Sequence, residues 1–211
     1  MFRRRKSIEE RTDPDDTGRE APEPGPRAQG PWDASEVELD EDDDTRLDLG
    51  SLVLTANEAL EVQLQVDEAT EQAVAVLLAG PDGAAELRAF AAPRNGDIWY
   101  QTRTGLAAEV ARMGGTASEA DGPFGTALDV SVVLELPDGS HAQQDSRVLG
   151  ISGPRWLLRV TLYGRPAVAF DHEGDVESAV RDVVVVRGRD PVPPGDPLPL
   201  VLPSTAQRLD L

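Results

Sequence analysis

The sequence predicts an α+β fold: an antiparallel sheet of about six to eight strands packed with two main helices. Three observations carry this. Apolar residues alternate with polar ones in several segments that are joined by Pro-Asp-Gly or Gly-Pro turns. One long segment between them has helical spacing and stops at a glycine pair. Consecutive strands follow one another without the intervening crossover helices that a parallel nucleotide-binding sheet requires.

Leu52-Val53-Leu54 is a short apolar segment, and Val62, Leu64 and Val66 alternate with Gln63 and Gln65 as in a half-buried strand. Ala73 to Leu78 reads as a more deeply buried strand. Gly80-Pro81-Asp82-Gly83 then turns it into Ala85 to Ala91, a hairpin. Asn95-Gly96-Asp97 offers a cap for a helix to about Met113, with Trp99, Leu106, Val110 and Met113 on one face and Gly114-Gly115 as the stop. Leu128, Val130, Val132, Leu134 and Leu136 mark the clearest strand. Pro137-Asp138-Gly139 turns it, Arg147 to Ile151 returns, and Arg155 to Gly164 alternates after Gly153-Pro154. A short helix spans about Asp175–Asp182, and the valines Val183 to Val186 read as its last turns passing into extended chain.

The ends differ in texture. In residues 1–48 acidic residues outnumber basic ones two to one and prolines recur, so this stretch is expected to be a disordered charged tail. Ordering such a chain costs roughly 1–2 kcal/mol of backbone entropy per residue, which its few apolar groups cannot offset. Residues 49–190 are expected to form a single α+β domain, and the proline-rich residues 191–211 an extended arm along its surface.

Composition narrows the function. The net charge of −19 argues against nucleic acid as a partner, Arg3 to Lys6 notwithstanding, and against an anionic membrane surface. Cysteine is absent, which removes disulfides, thiolate nucleophiles and cysteine-held metals. No apolar run approaches the ~20 residues that span a bilayer, and none follows the basic start, so no export signal is expected and the chain reads as cytoplasmic. Lysine occurs once, at Lys6, among abundant arginine, alanine, glycine and proline, the bias of a GC-rich genome.

No catalytic motif emerges, and no cofactor or metal is expected. His141 and His172 lie far apart, and Asp40 to Asp44 lacks the spaced ligands of a calcium loop. Ser152 sits between two strands, not at the strand-to-helix turn of a serine nucleophile; Gly122-Pro123-Phe124-Gly125 has no lysine and reads as a turn. Trp99 and Trp156 are expected as core anchors. The candidates for an anion or partner-binding site are Arg155, Arg159, Tyr163 and Arg165, on or beside one predicted strand, with Arg159 and Tyr163 on its non-core face.

Phe90-Ala91-Ala92-Pro93-Arg94, Gly122-Pro123-Phe124-Gly125, Gly153-Pro154-Arg155-Trp156-Leu157-Leu158-Arg159, Arg181 to Gly188 and Pro197-Leu198-Pro199-Leu200 together resemble the actinobacterial domain of unknown function 3710. The resemblance covers about Asp48 to Pro203. It implies an actinobacterial cytosolic protein and carries over no activity, cofactor or catalytic residue. Tyr163-Gly164-Arg165-Pro166 departs from the pattern, which places a polar residue such as threonine before the glycine. The order of elements also resembles PsbP-like binding folds, an analogy of fold only. Two function classes follow from the sequence. The first is a non-enzymatic module that binds a protein partner. The second is a small-molecule binder or enzyme with a carboxylate–arginine site on the sheet.

Overall fold

A computed structural model describes residues 27–40 and 43–203. In chain order its elements are β1 (Trp32–Asp33), β2 (Arg46–Asp48), β3 (Leu52–Thr55), β4 (Glu61–Val66), β5 (Ala73–Gly80), β6 (Gly83–Ala91), α1 (Trp99–Arg112), β7 (Thr116–Gly122), β8 (Gly125–Glu135), β9 (His141–Gly153), β10 (Trp156–Gly164), α2 (Arg165–Val168), α3 (Asp175–Asp182) and β11 (Val184–Val185). Seven strands form one antiparallel sheet in the order β4-β5-β6-β10-β9-β8-β7. A second sheet, β1-β11-β3-β2, has four short strands. The α+β class and the antiparallel main sheet are as the sequence predicts, with a third, single-turn helix and the small second sheet added.

The pleat sends alternate side chains of the main sheet into two different cores. From β6 and β10, Leu87, Ala89, Leu158, Val160 and Leu162 point toward α3 and the small sheet, where they meet Leu52, Leu54, Val176, Val180 and Val185. Leu157 points the other way, with Leu128 and Val148, toward Trp99 and Leu106 of α1. The molecule is therefore layered: small sheet with α3, main sheet, α1.

Helix α1 begins at Trp99, later than Asn95, and Asp97 Oδ1 accepts the Trp99 N–H at 2.8 Å, so the predicted cap comes from its aspartate. Met113, placed by spacing on the buried face, lies past the last turn and is 67% exposed. The valine run leaves the helix at Asp182 and pairs as β11 with β1 and β3. Strand β7 has no counterpart in the sequence reading. Its residues TASEADG carry no apolar alternation, because it is an edge strand paired only with β8.

Residues 1–48, expected to be a disordered tail, contain β1 and β2, and the described part of the stretch departs from that expectation. The Trp32 N–H donates to the Val183 carbonyl at 2.8 Å, and the Trp156 indole N–H donates to buried Asp33 Oδ2 at 2.7 Å. Arg27 forms two bonds to Glu36, at 2.6 and 2.8 Å, and lies 5.3 Å from the Trp156 ring centroid. The basic start, Glu41 and Asp42 of the acidic run, and residues 204–211 of the expected arm lie outside the described residues. At the other end, β5 stops pairing with β6 at Leu87, and the extended segment 195–198 takes over the ladder at Ala89–Ala91, burying Leu198.

Candidate functional site

Helix α1 packs on β7, β8 and β9; beyond buried Leu157 of β10, against whose cluster Phe90 of β6 also packs, its side of β4, β5, β6 and β10 is left half-buried. Gly150 of β9 sets that boundary. A Cβ there would lie 2.0 Å from Cδ2 of Trp99, so the glycine lets the indole rest on the backbone of the strand. The indole N–H reaches the Thr126 carbonyl at 2.7 Å. The next residue across the sheet from Gly150 is Arg159, and the next is Arg88.

Two arginines thus stand directly opposite each other on β6 and β10, an arrangement that is unfavourable between like charges. One carboxylate, Glu86, lies between them. Its Oε1 accepts the Arg88 Nε–H at 2.9 Å but is 3.8 Å from Arg159 Nη2, beyond hydrogen-bond distance. Arg88 also reaches Gln65 Oε1 on β4 at 3.4 Å. The Arg159 guanidinium sits 5.3 Å from the Phe90 ring centroid with its side chain only 17% exposed, and among the described residues it donates no hydrogen bond. Burial first, and then the Arg88 charge, lower its pKa below the ordinary guanidinium value; it stays cationic at neutral pH. Tyr163 stands on the same face, four residues along β10. Burial, reinforced by Glu86, raises its phenol above the usual value, so it is a neutral hydrogen-bonding group and not a nucleophile.

Of the four residues the sequence singled out, the fold brings Arg159 and Tyr163 onto this face and takes the other two away. Arg155 occupies the exposed β9–β10 turn with φ of 63°, and its carbonyl accepts the Ala92 N–H. Arg165 starts α2 beyond the opposite end of β10. There it donates to fully buried Glu177 at 3.0 Å, which raises its own pKa, while Glu177 Oε1 accepts the Asp171 N–H at 3.0 Å. Arg165 is thereby a link between α2, α3 and their connecting loop. Sequence reasoning missed Glu86, Arg88 and Phe90. The alternation of Ala85, Leu87 and Ala89 with Glu86, Arg88 and Phe90 was the available signal, but it says nothing about which strand lies beside β6.

The remaining candidates are placed plainly. Ser152 Oγ donates at 2.9 Å to Asp97, the carboxylate that caps α1. The His172 ring packs edge-on against Phe170, and His141 opens β9 opposite Glu135. Among the described residues no three His, Cys, Asp or Glu side chains gather as metal ligands, and no helix is long and apolar enough to cross a membrane. Two clefts lie away from Arg159. One, of about 320 Å³, runs beside α2 over the Asp129–Arg147 ion pair. The other, of about 260 Å³, lies at the start of α1 between Arg27, Arg103 and Phe124.

No curated protein compared with the chain matches it. Residues 30–209 match the family described as "Protein of unknown function (DUF3710)". The match takes in every strand and helix of both sheets, the Arg88–Arg159 face included, and the chain belongs to that family.

Proposed function

We propose that this protein is a non-enzymatic interaction module of an actinobacterial cytosol, and that a protein partner docks on the half of the main sheet that α1 leaves open. The observation that carries the reading is the state of Arg159: its side chain mostly covered, opposed by Arg88, and its solvent-reaching fork without a hydrogen-bond acceptor among the described residues. An open fork on a flat face suits a contact completed by another molecule. Phe90 and Leu77 give the same face apolar area for such a contact, and Tyr163 adds a polar tip. The basic cluster also stands out locally in a chain of net charge −19.

The test is affinity capture from an actinobacterial lysate with three baits: the wild type, Arg159→Glu, and Arg155→Glu as a charge reversal on the exposed turn. The expected result is a defined partner held by the wild type and by Arg155→Glu and lost by Arg159→Glu. Equal capture by all three would remove the docking surface from this face. The second reading, a small-molecule binder or enzyme at the same site, draws on Glu86 and Arg159 as its carboxylate–arginine pair. Substrate turnover by the purified protein that Glu86→Gln abolishes would establish it in place of the first.

A further inference from the structure

We infer that the anchor of the docked partner is a single carboxylate, the side chain of an aspartate or glutamate in an otherwise uncharged segment, seated on the guanidinium fork of Arg159; this rests on the docking reading above. Arg88 and Arg159 contribute two positive charges and Glu86 one negative charge on a half-buried face, leaving one positive charge to be met. Glu109, exposed on α1, is the smallest of the charges acting on Arg159, smaller than Glu86. A monoanion neutralises the group. A phosphoryl dianion would overshoot and leave net negative charge on a half-buried surface, where unpaired charge is costly.

Shape points the same way. Phe90 holds the Arg159 guanidinium 5.3 Å from its ring centroid, and no described side chain bonds its N–H groups, which are left for a guest. The guanidinium edge matches the two oxygens of a carboxylate in a bidentate pair, the strongest ordinary form of the contact. Arg88, already committed to Glu86 and Gln65, supplies long-range attraction and not the fork. The net charge of −19 sets the remaining condition: a strongly acidic partner is repelled at a distance, so the guest segment carries its carboxylate among neutral residues.

The experiment uses acetate as the carboxylate probe and inorganic phosphate as its rival, each titrated at constant ionic strength into the ¹⁵N-labelled full chain. The readout is the set of arginine Nε–Hε resonances. Acetate is expected to shift the Arg159 signal saturably, at lower concentration than phosphate does. Arg147, whose Nε already bonds Asp129 at 2.6 Å, stays still. Arg159→Gln removes the response. Glu86→Gln, which takes away the internal competitor, tightens acetate binding by about 5- to 10-fold, in keeping with the strength of charge-assisted pairs. A structural role for Glu86 alone would not move affinity in that direction. Tighter binding of phosphate, an equal shift at Arg147, no shift at Arg159, or weaker binding in Glu86→Gln each overturns the inference. A normal acetate response together with partner capture indifferent to Arg159→Glu would leave the carboxylate seat standing and sink the docking reading.

Discussion

Replacing Arg159 with methionine should leave the fold about as stable as the wild type, unlike the loss that removing a half-buried charged residue usually brings. The magnitudes follow from the geometry. Lost are a non-hydrogen-bonded attraction to Glu86 at 3.8 Å, worth at most about 1 kcal/mol, and a stacking contact on Phe90 of about 0.5–1 kcal/mol. Recovered is the like-charge opposition to Arg88, about 0.2–1 kcal/mol; the Arg159 N–H groups are not among the buried side-chain atoms left without a partner, so their withdrawal from water adds nothing. Methionine keeps an unbranched stem over Phe90 and returns a sulfur–aromatic contact of about 0.3–1.5 kcal/mol. The balance lies near zero, within about 2 kcal/mol either way. Urea denaturation at neutral pH reads it as a nearly unchanged midpoint with an unchanged slope. The mirror variant, Glu86→Gln, leaves two arginines facing each other with no anion between them and should lose about 1–2 kcal/mol. High salt should shrink both effects. A loss of more than about 2 kcal/mol in Arg159→Met would mean that Arg159 is a structural ion-pair member, and the case for an unfilled binding group would go with it.

Other features of the fold give sharper stability tests. Asp33→Ala leaves the Trp156 indole N–H buried without an acceptor and should cost about 1–3 kcal/mol, visible as an earlier thermal transition; no change would deny that the β1 segment is docked on the core. Gly150→Ala drives a methyl group into the Trp99 ring and should cost about 1–3 kcal/mol while altering the near-ultraviolet circular dichroism of the tryptophans. Wild-type behaviour of that variant would show that α1 does not rest on β9. Glu36 is held down to about 2 from 4.5 chiefly by its bond to Arg27. Because its folded-state pKa is depressed, its contribution is complete above pH 4.5 and fades as pH falls toward 2. The Trp156 Nε1–H resonance should track that acid window as the 27–36 segment loosens, and a resonance flat across it would contradict the Arg27–Glu36–Asp33 arrangement.

What was legible at the start is what depends on near neighbours in the chain. Period-two alternation is a property of a strand and its two faces, so β4, β6, β8 and β10 were readable from their residues, as was β5 from its apolar run and as were the Pro-Asp-Gly reversals and the Asp97 cap. Composition likewise excluded cysteine chemistry without any coordinates. The acidic N-terminal stretch shows where this reasoning stops. Residues 27–48 look too polar to fold by local accounting, yet β1 adds one strand beside β11, and Asp33 receives a hydrogen bond from Trp156, 123 positions away. Its order comes from partners that no local window contains.

The candidate site divides along the same line. Alternation along Arg155 to Gly164 was enough to put Arg159 and Tyr163 on the non-core face of one strand. Only the tertiary structure decided that Arg88, not Arg165, is the neighbouring cation, because strand order and register place β6 beside β10 and send Arg165 to buried Glu177. Nor does any local pattern reveal that Gly150, one strand from Arg159, lets Trp99 lie against the sheet. Periodicity fixes the face on which a side chain emerges. Its electrostatic surroundings are set by long-range strand pairing, and for Arg159 that pairing sets a second arginine directly opposite it.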